Sequence, residues 1–159
     1  MKIFLLGLLI LWSGFQDLEA QVIHEVNAQE LVELTRLEND TTYVLNFWAS
    51  WCAPCVEELP LFEKLHRARK GESFRLILIS LDFSNQMDSR VRPFLREQGI
   101  TAEVRLINDT DYNSWISRVD PDWSGAIPAT LIYRRDKRVF LEKKLNMEEL
   151  IAYFEQIHL

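Results

Sequence analysis

Cys52 and Cys55 are the only thiols in the chain, and they stand three positions apart in Cys52-Ala53-Pro54-Cys55. Two sulfurs so spaced can cycle between a dithiol and an intramolecular disulfide. A bridge this short closes almost no loop, and loop closure is what a structural disulfide chiefly removes from the unfolded state. Reactivity therefore explains the pair better than stability does. The attacking species in such chemistry is the thiolate, so the site needs a feature that favours a sulfur anion. Zinc ligation is the competing use of paired cysteines, but it takes four ligands, usually in two clusters. Here the other candidates, His24, His66 and His158, are scattered singly.

The flanking sequence supplies the feature. Tyr43-Val44-Leu45-Asn46-Phe47-Trp48 is a short apolar run rich in sheet-favouring residues. A turn over 49–53 then leads to a helix expected from about residue 54 to 70, with Leu59, Phe62, Leu65 and His66 recurring on one face and Gly71 as its stop. Between strand and helix, Cys52 faces the free N–H groups and positive dipole end of the first turn. A thiolate there is expected to be stabilised relative to a free cysteine, whose pKa is about 8.5. Cys55, one turn deeper on the same face, is within reach of Cys52. Pro54 at the first helical position lacks only an N–H that would have no intrahelical partner, and its fixed φ preorganises the turn.

The remaining elements must hold this strand–turn–helix unit. The spacing predicts helices over 28–37, 89–98, 110–118 and 147–157, and strands over 74–81, 103–107, 130–133 and 138–141. The 74–81 run is nearly all apolar, as in a central parallel strand covered on both faces. Alternation first and a strand pair last imply an α/β domain with a mixed sheet flanked by helices.

The chain has 159 residues, enough for one domain. Its 48% hydrophobic and 26% charged content is ordinary for a globular protein. The net charge of −6, with Lys and Arg scattered, gives no footprint for nucleic acid. Residues 1–20 read as a secretory signal: Lys2, an apolar stretch over 3–12 broken by Gly7, and a polar exit ending at Ala20. Cleavage there leaves 21–159 as the mature domain, with no stable membrane span; the alternative is an uncleaved anchor. Export implies a periplasmic or cell-envelope location.

Asn46-Phe47-Trp48-Ala49-Ser50-Trp51-Cys52-Ala53-Pro54-Cys55, followed by Glu57-Glu58-Leu59-Pro60, resembles the thioredoxin-like reductases of the TlpA, ResA and CcmG group. The resemblance implies a thioredoxin fold with an N-terminal extension and a helical insertion. It implies that Cys52 is the nucleophile and Cys55 the resolving thiol. Glu58 matches a carboxylate that this group carries near its thiols, where it tunes them and moves a proton; the plainer reading is a solvated helix glutamate. Asn46 stands where thioredoxin itself has a buried Asp. Pro60 matches a kink in the first long helix. Pro128, in Gly125-Ala126-Ile127-Pro128-Ala129-Thr130, matches a cis proline beside the cysteines, which leaves the Ile127 backbone free to pair with an extended substrate; an ordinary trans proline opening an edge strand is the alternative.

Trp51, beside the nucleophile, suits a substrate platform, whereas Trp48 suits the core equally well. No cofactor or metal is expected beyond the redox-active Cys52–Cys55 disulfide. Expected partners are disulfide-containing envelope proteins and an upstream electron donor, with the chain a monomer. The direction of exchange stays open, since a reductase, an oxidant and an isomerase use the same parts. A different class of function, a non-catalytic metal- or partner-binding module, also fits the fold. Asp109, Asp111, Asn113 and Asp120 approach the spacing of a calcium loop, but Ser114 stands where that loop needs Gly, and helix capping by Asp109 is the simpler expectation. Asn39-Asp40-Thr41 and Asn108-Asp109-Thr110 match glycosylation sequons.

Overall fold

The computed structural model describes residues 22–159, so the expected leader at 1–20 lies outside the described residues. Six strands form one mixed sheet: β1 (Ile23–Val26), β2 (Thr42–Trp48), β3 (Phe74–Ser80), β4 (Glu103–Ile107), β5 (Ala129–Arg134) and β6 (Lys137–Leu141), in the spatial order β1-β4-β3-β2-β5-β6. The helices are α1 (Ala28–Leu34), α2 (Ala53–Ala68), α3 (Arg92–Glu97), α4 (Tyr112–Val119) and α5 (Met147–His158). The thioredoxin-type α/β architecture implied by the sequence is present.

β2 is central, and every one of its residues is buried. It runs parallel to β3, with Leu45 opposite Ile77, and antiparallel to β5, with Asn46 opposite Thr130. Successive side chains of a strand point to opposite faces, and β2 follows this rule closely. Tyr43 stacks on Tyr133, whose hydroxyl donates to the Leu34 carbonyl of α1, and Phe47 packs on Trp123, which in turn meets Trp115 of α4. On the other face Thr42 bonds His158 of α5, Asn46 bonds Glu58 of α2, and Trp48 stacks on Phe94 of α3. The sheet is thus covered by α1 and α4 on one side and by α2, α3 and α5 on the other. Because β5 opposes β2 and β3, the end of β2, the end of β3 and the start of β5 all lie at one end of the sheet.

Four departures from the sequence expectation have local causes. β1 carries no alternating pattern, since Ile23 and Val26 are buried and His24 and Glu25 exposed; it exists by pairing with β4 at the sheet edge. α1 stops at Leu34 instead of reaching 37, because the Thr35 hydroxyl and N–H both turn back on the Val32 carbonyl. The helix expected over 89–98 begins as a single 3₁₀ turn (Ser84–Gln86) and a π turn (Met87–Val91) before α3. Pro93 has no N–H to offer the carbonyl four residues back, and a wider turn accommodates that loss. Asp109 does not cap α4: its carboxylate accepts from the Asp111 N–H, making a turn ahead of the helix.

α3 ends on Gly99, at φ +64°, where Ile100 N–H reaches the Leu95 carbonyl at 3.0 Å and Gly99 N–H the Arg96 carbonyl at 3.1 Å. This paired closure needs a left-handed residue after the helix. A Cβ at Gly99 meets no atom within 4 Å, so the cost of adding one is purely conformational. Gly99→Ala is expected to destabilise the chain by about 1–2 kcal/mol, seen as a lower urea midpoint with an unchanged slope.

Candidate active site

The reactive turn sits where β2 ends. Cys52 N–H closes a turn onto the Ala49 carbonyl at 3.1 Å, and the Cys52 carbonyl accepts the first bond of α2, from Val56 N–H at 3.0 Å. Cys52 is thereby the N-cap of α2, in extended backbone at φ −92° and ψ 98°. The helix starts at Ala53, one residue earlier than expected, with Pro54 still inside its first turn. The N–H groups of Ala53 and Cys55 are left without a backbone acceptor, pointing out of the helix end.

Cys52 and Cys55 are joined as a disulfide, with Cα atoms 5.3 Å apart. Cys52 retains 7% of its surface and Cys55 none, so an incoming group meets Cys52 first. Trp51 beside it is 54% exposed. Trp48 is fully buried against Phe94 and belongs to the core.

Across from the cysteines, the Ile127–Pro128 bond is cis, and Cys52 Sγ lies 3.8 Å from the Ile127 carbonyl oxygen. Pairing of β5 with β2 begins only at Ala129, opposite Phe47, and no backbone bond to Ile127 is present. The loop before it is tied from two sides. Trp123 Nε1 donates to the Ala126 carbonyl at 2.9 Å, while its ring packs on Phe47 at 4.5 Å. The Glu142 carboxylate accepts from Ser124 N–H at 3.0 Å, from Ala126 N–H at 3.1 Å and from the Ser124 hydroxyl. These bonds hold its carboxyl below the usual range. Gly125, at φ +96°, supplies a backbone turn that a side chain disfavours.

Glu58 is the buried member of its pair, not a solvated helix residue; Glu57 is exposed and pairs with Lys144. One Glu58 oxygen accepts from Asn46 Nδ2 at 2.8 Å and the other from Leu145 N–H at 2.9 Å, so the carboxylate is held by these groups and not by either sulfur. Asn46 Nδ2 also lies 3.1 Å from Thr130 Oγ1, which joins β2, α2, β5 and the segment ahead of α5 in one polar cluster. Burial raises the Glu58 pKa above 4.5, opposed in part by Leu145, Asn46 and the Lys144 charge.

Sequence reasoning missed three residues that shape this end of the sheet. Asp82 is buried and accepts from Ser50 N–H at 2.9 Å, Ser50 Oγ at 2.6 Å and Ser80 Oγ at 2.8 Å, which binds the turn before Cys52 to the end of β3. Trp123 and Glu142 do the same for the loop before Pro128. No motif marks them, since they act through residues distant in sequence, Asp82 through Ser50 and Trp123 through Phe47. Among the described residues, no group of three or more His, Cys, Asp or Glu is placed to hold a metal ion, and no helix is long and apolar enough to cross a membrane.

The model of the AhpC/TSA family matches residues 14–140, which include every site residue named above except Glu142, Lys144 and Leu145. The chain belongs to the AhpC/TSA family. It is 33% identical over 143 residues to the thiol-disulfide oxidoreductase ResA of Oceanobacillus iheyensis, covering 89% of this chain and 69% of that protein. It is 35% identical over 63 residues to the sporulation thiol-disulfide oxidoreductase A of Bacillus subtilis, but there the match spans 40% of this chain and only 38% of the relative. A thioredoxin-related protein from Neisseria meningitidis serogroup B has the same fold, with a TM-score of 0.62 at 23% identity over 79% of this chain and 90% of that one. Within the AhpC/TSA family these likenesses place the chain in the TlpA/ResA group of thiol–disulfide oxidoreductases.

The Glu58 environment has a measurable consequence for stability. Because the folded chain holds the Glu58 proton more tightly than the unfolded chain does, that proton stabilises the fold fully below pH 4.5 and the contribution is lost as pH rises through the raised pKa. Urea titrations across this range should show wild type losing stability relative to Glu58→Gln as pH rises from about 4.5. Parallel stability curves for the two proteins would mean that the carboxyl is not perturbed.

Proposed function

We propose that the chain is an exported thiol–disulfide oxidoreductase that reduces disulfides of envelope proteins. One observation carries the reading: the cysteine pair opens α2, Cys52 as its N-cap and Cys55 in its first turn, with only Cys52 reaching the surface, 3.8 Å from an Ile127 carbonyl that no backbone group engages.

The chemistry follows from these positions. In the reduced chain, the Cys52 thiolate attacks one sulfur of a substrate disulfide. A bond forms between Cys52 Sγ and that sulfur as the substrate S–S bond breaks, and the leaving thiolate takes up a proton. Cys55, deprotonated, then attacks Cys52 Sγ, closing the intramolecular disulfide and expelling the second substrate thiolate. Two electrons pass to the substrate, and an upstream dithiol must return them. Glu58 lies one turn beyond Cys55, and its raised proton affinity suits it to take the Cys55 proton nearer neutrality than an ordinary glutamate would. An extended substrate segment pairs with the free Ile127 backbone, with Pro54, Pro128 and Trp51 forming the surrounding surface. The secretory pattern of residues 1–20 supports an envelope or periplasmic location.

The roles of the two sulfurs separate by substitution. Cys52→Ser is expected to abolish reduction of a protein disulfide. Cys55→Ser should instead accumulate a mixed disulfide through Cys52, visible as a mass adduct removed by dithiothreitol. A Cys55→Ser protein that turns over at the wild-type rate would overturn the assignment of the resolving thiol.

A further inference from the structure

Two of the large apolar side chains left uncovered by the fold lie at the redox end. Among the described residues, the exposed large hydrophobic side chains are Val22, Trp51, Phe83, Ile151 and Leu159. The aromatic pair among them, Trp51 at 54% and Phe83 at 56% exposure, flanks the same turn. Leu81 N–H donates to the Trp48 carbonyl at 2.8 Å, and Asp82 takes both the N–H and the hydroxyl of Ser50. Residues 81–83 therefore run beside 48–51 beyond the end of the sheet, and each exposed ring follows directly on a residue of the Ser50–Asp82 bridge.

The Phe83 backbone is also held on its far side. Its carbonyl accepts from Gln86 N–H at 2.8 Å, and Ser84 Oγ donates to Asn108 Oδ1 at 3.0 Å. A ring left in solvent on a backbone fixed from both directions is apolar area with its ordering cost already met. Nothing in the reactions of Cys52 and Cys55 uses it.

We propose that Phe83, with Trp51, forms a docking surface for a large apolar side chain close in sequence to the reacting cysteine of a protein substrate, and that Phe83 sets the chain's preference among disulfides. The inference rests on exchange at Cys52 as read above. Continuity with that site identifies the occupant. Ile127 precedes β5, Cys52 follows β2 and Phe83 follows β3, and these strands are adjacent in the order β3-β2-β5. Two strand spacings amount to about 10 Å, the reach of roughly three residues of extended chain. A substrate segment paired with Ile127 and presenting its cysteine to Cys52 brings a side chain within about three positions of that cysteine over the Trp51 and Phe83 rings.

The test uses the full chain and two synthetic peptides, each closed by one disulfide and identical except for Leu or Ser three positions from the cysteine. Wild type is expected to reduce the Leu peptide with a kcat/KM about tenfold above that of the Ser peptide. Phe83→Ala should bring that ratio close to one, and Phe83→Leu should restore most of it. Equal kcat/KM for the two peptides with wild type, or a ratio unmoved in Phe83→Ala, overturns the docking assignment and leaves the exchange reading intact. A wild-type chain that reduces neither peptide overturns both. Sedimentation as a dimer that Phe83→Ala dissociates assigns the face to a second copy and likewise overturns it.

Discussion

The N-terminal end of an α-helix favours negative charge, because its first N–H groups have no intrahelical acceptors and its peptide dipoles align behind them. In this chain that end is α2, and the residue placed on it is Cys52. Keeping it there requires β2 to stop at Trp48 and hand the chain to α2 at Ala53. The requirement is met from both flanks. Asp82 binds Ser50 to the end of β3, and the loop tied by Trp123 and Glu142 sets Ile127 and Pro128 against the sulfur from the side of β5. The central strand, buried on both faces, is the reference to which each of these is fixed.

Beneath the sulfurs the same strand carries a polar residue. Asn46 brings a neutral amide to a fully buried position, and its Nδ2 meets the Glu58 carboxylate. Burial favours the protonated acid, whereas the Leu145 N–H, the Asn46 amide and the Lys144 charge favour the carboxylate. Burial prevails, and the carboxyl holds its proton more tightly than an exposed or fully ion-paired glutamate would. Glu63, one turn or so further along α2, shows the other outcome. It accepts from Thr101, Ala102 and Arg67, and although burial is again the largest single influence, the bonds together hold its carboxyl below the usual range. The two buried glutamates of α2 thus differ in the number of donors facing them. Glu63 anchors the start of β4, and Glu58 ties Asn46 of β2 to Leu145 ahead of α5.

Much of this was legible in sequence, and the reasons are local. The Cys52-Ala53-Pro54-Cys55 spacing, the apolar run before it and the helical periodicity after it are all contiguous, so the strand–turn–helix unit and the burial of β2 could be read directly. Pro128 was legible only through resemblance, since nothing in its own neighbourhood distinguishes a cis bond from a trans one. β1 escaped because a four-residue edge strand with buried ends and an exposed middle has no period to detect. The break ahead of α3 escaped because the periodicity over 89–98 runs straight across Pro93, and nothing in that run marks where a π turn takes up the missing N–H. Asp82, Trp123, Glu142 and Phe83 escaped because their meaning lies in which distant residue each one meets, or in meeting none.

The central claim is that α2 holds Cys52 as a reactive sulfur anion. The most direct measurement is the rate of iodoacetamide alkylation of the reduced wild-type chain from pH 4 to 10, with peptide mapping of the modified residue. The account predicts that Cys52 alone is modified, at a rate already near its plateau at pH 7. A rate still climbing steeply through about pH 8.5, as for a free cysteine, or modification falling on Cys55, would contradict it.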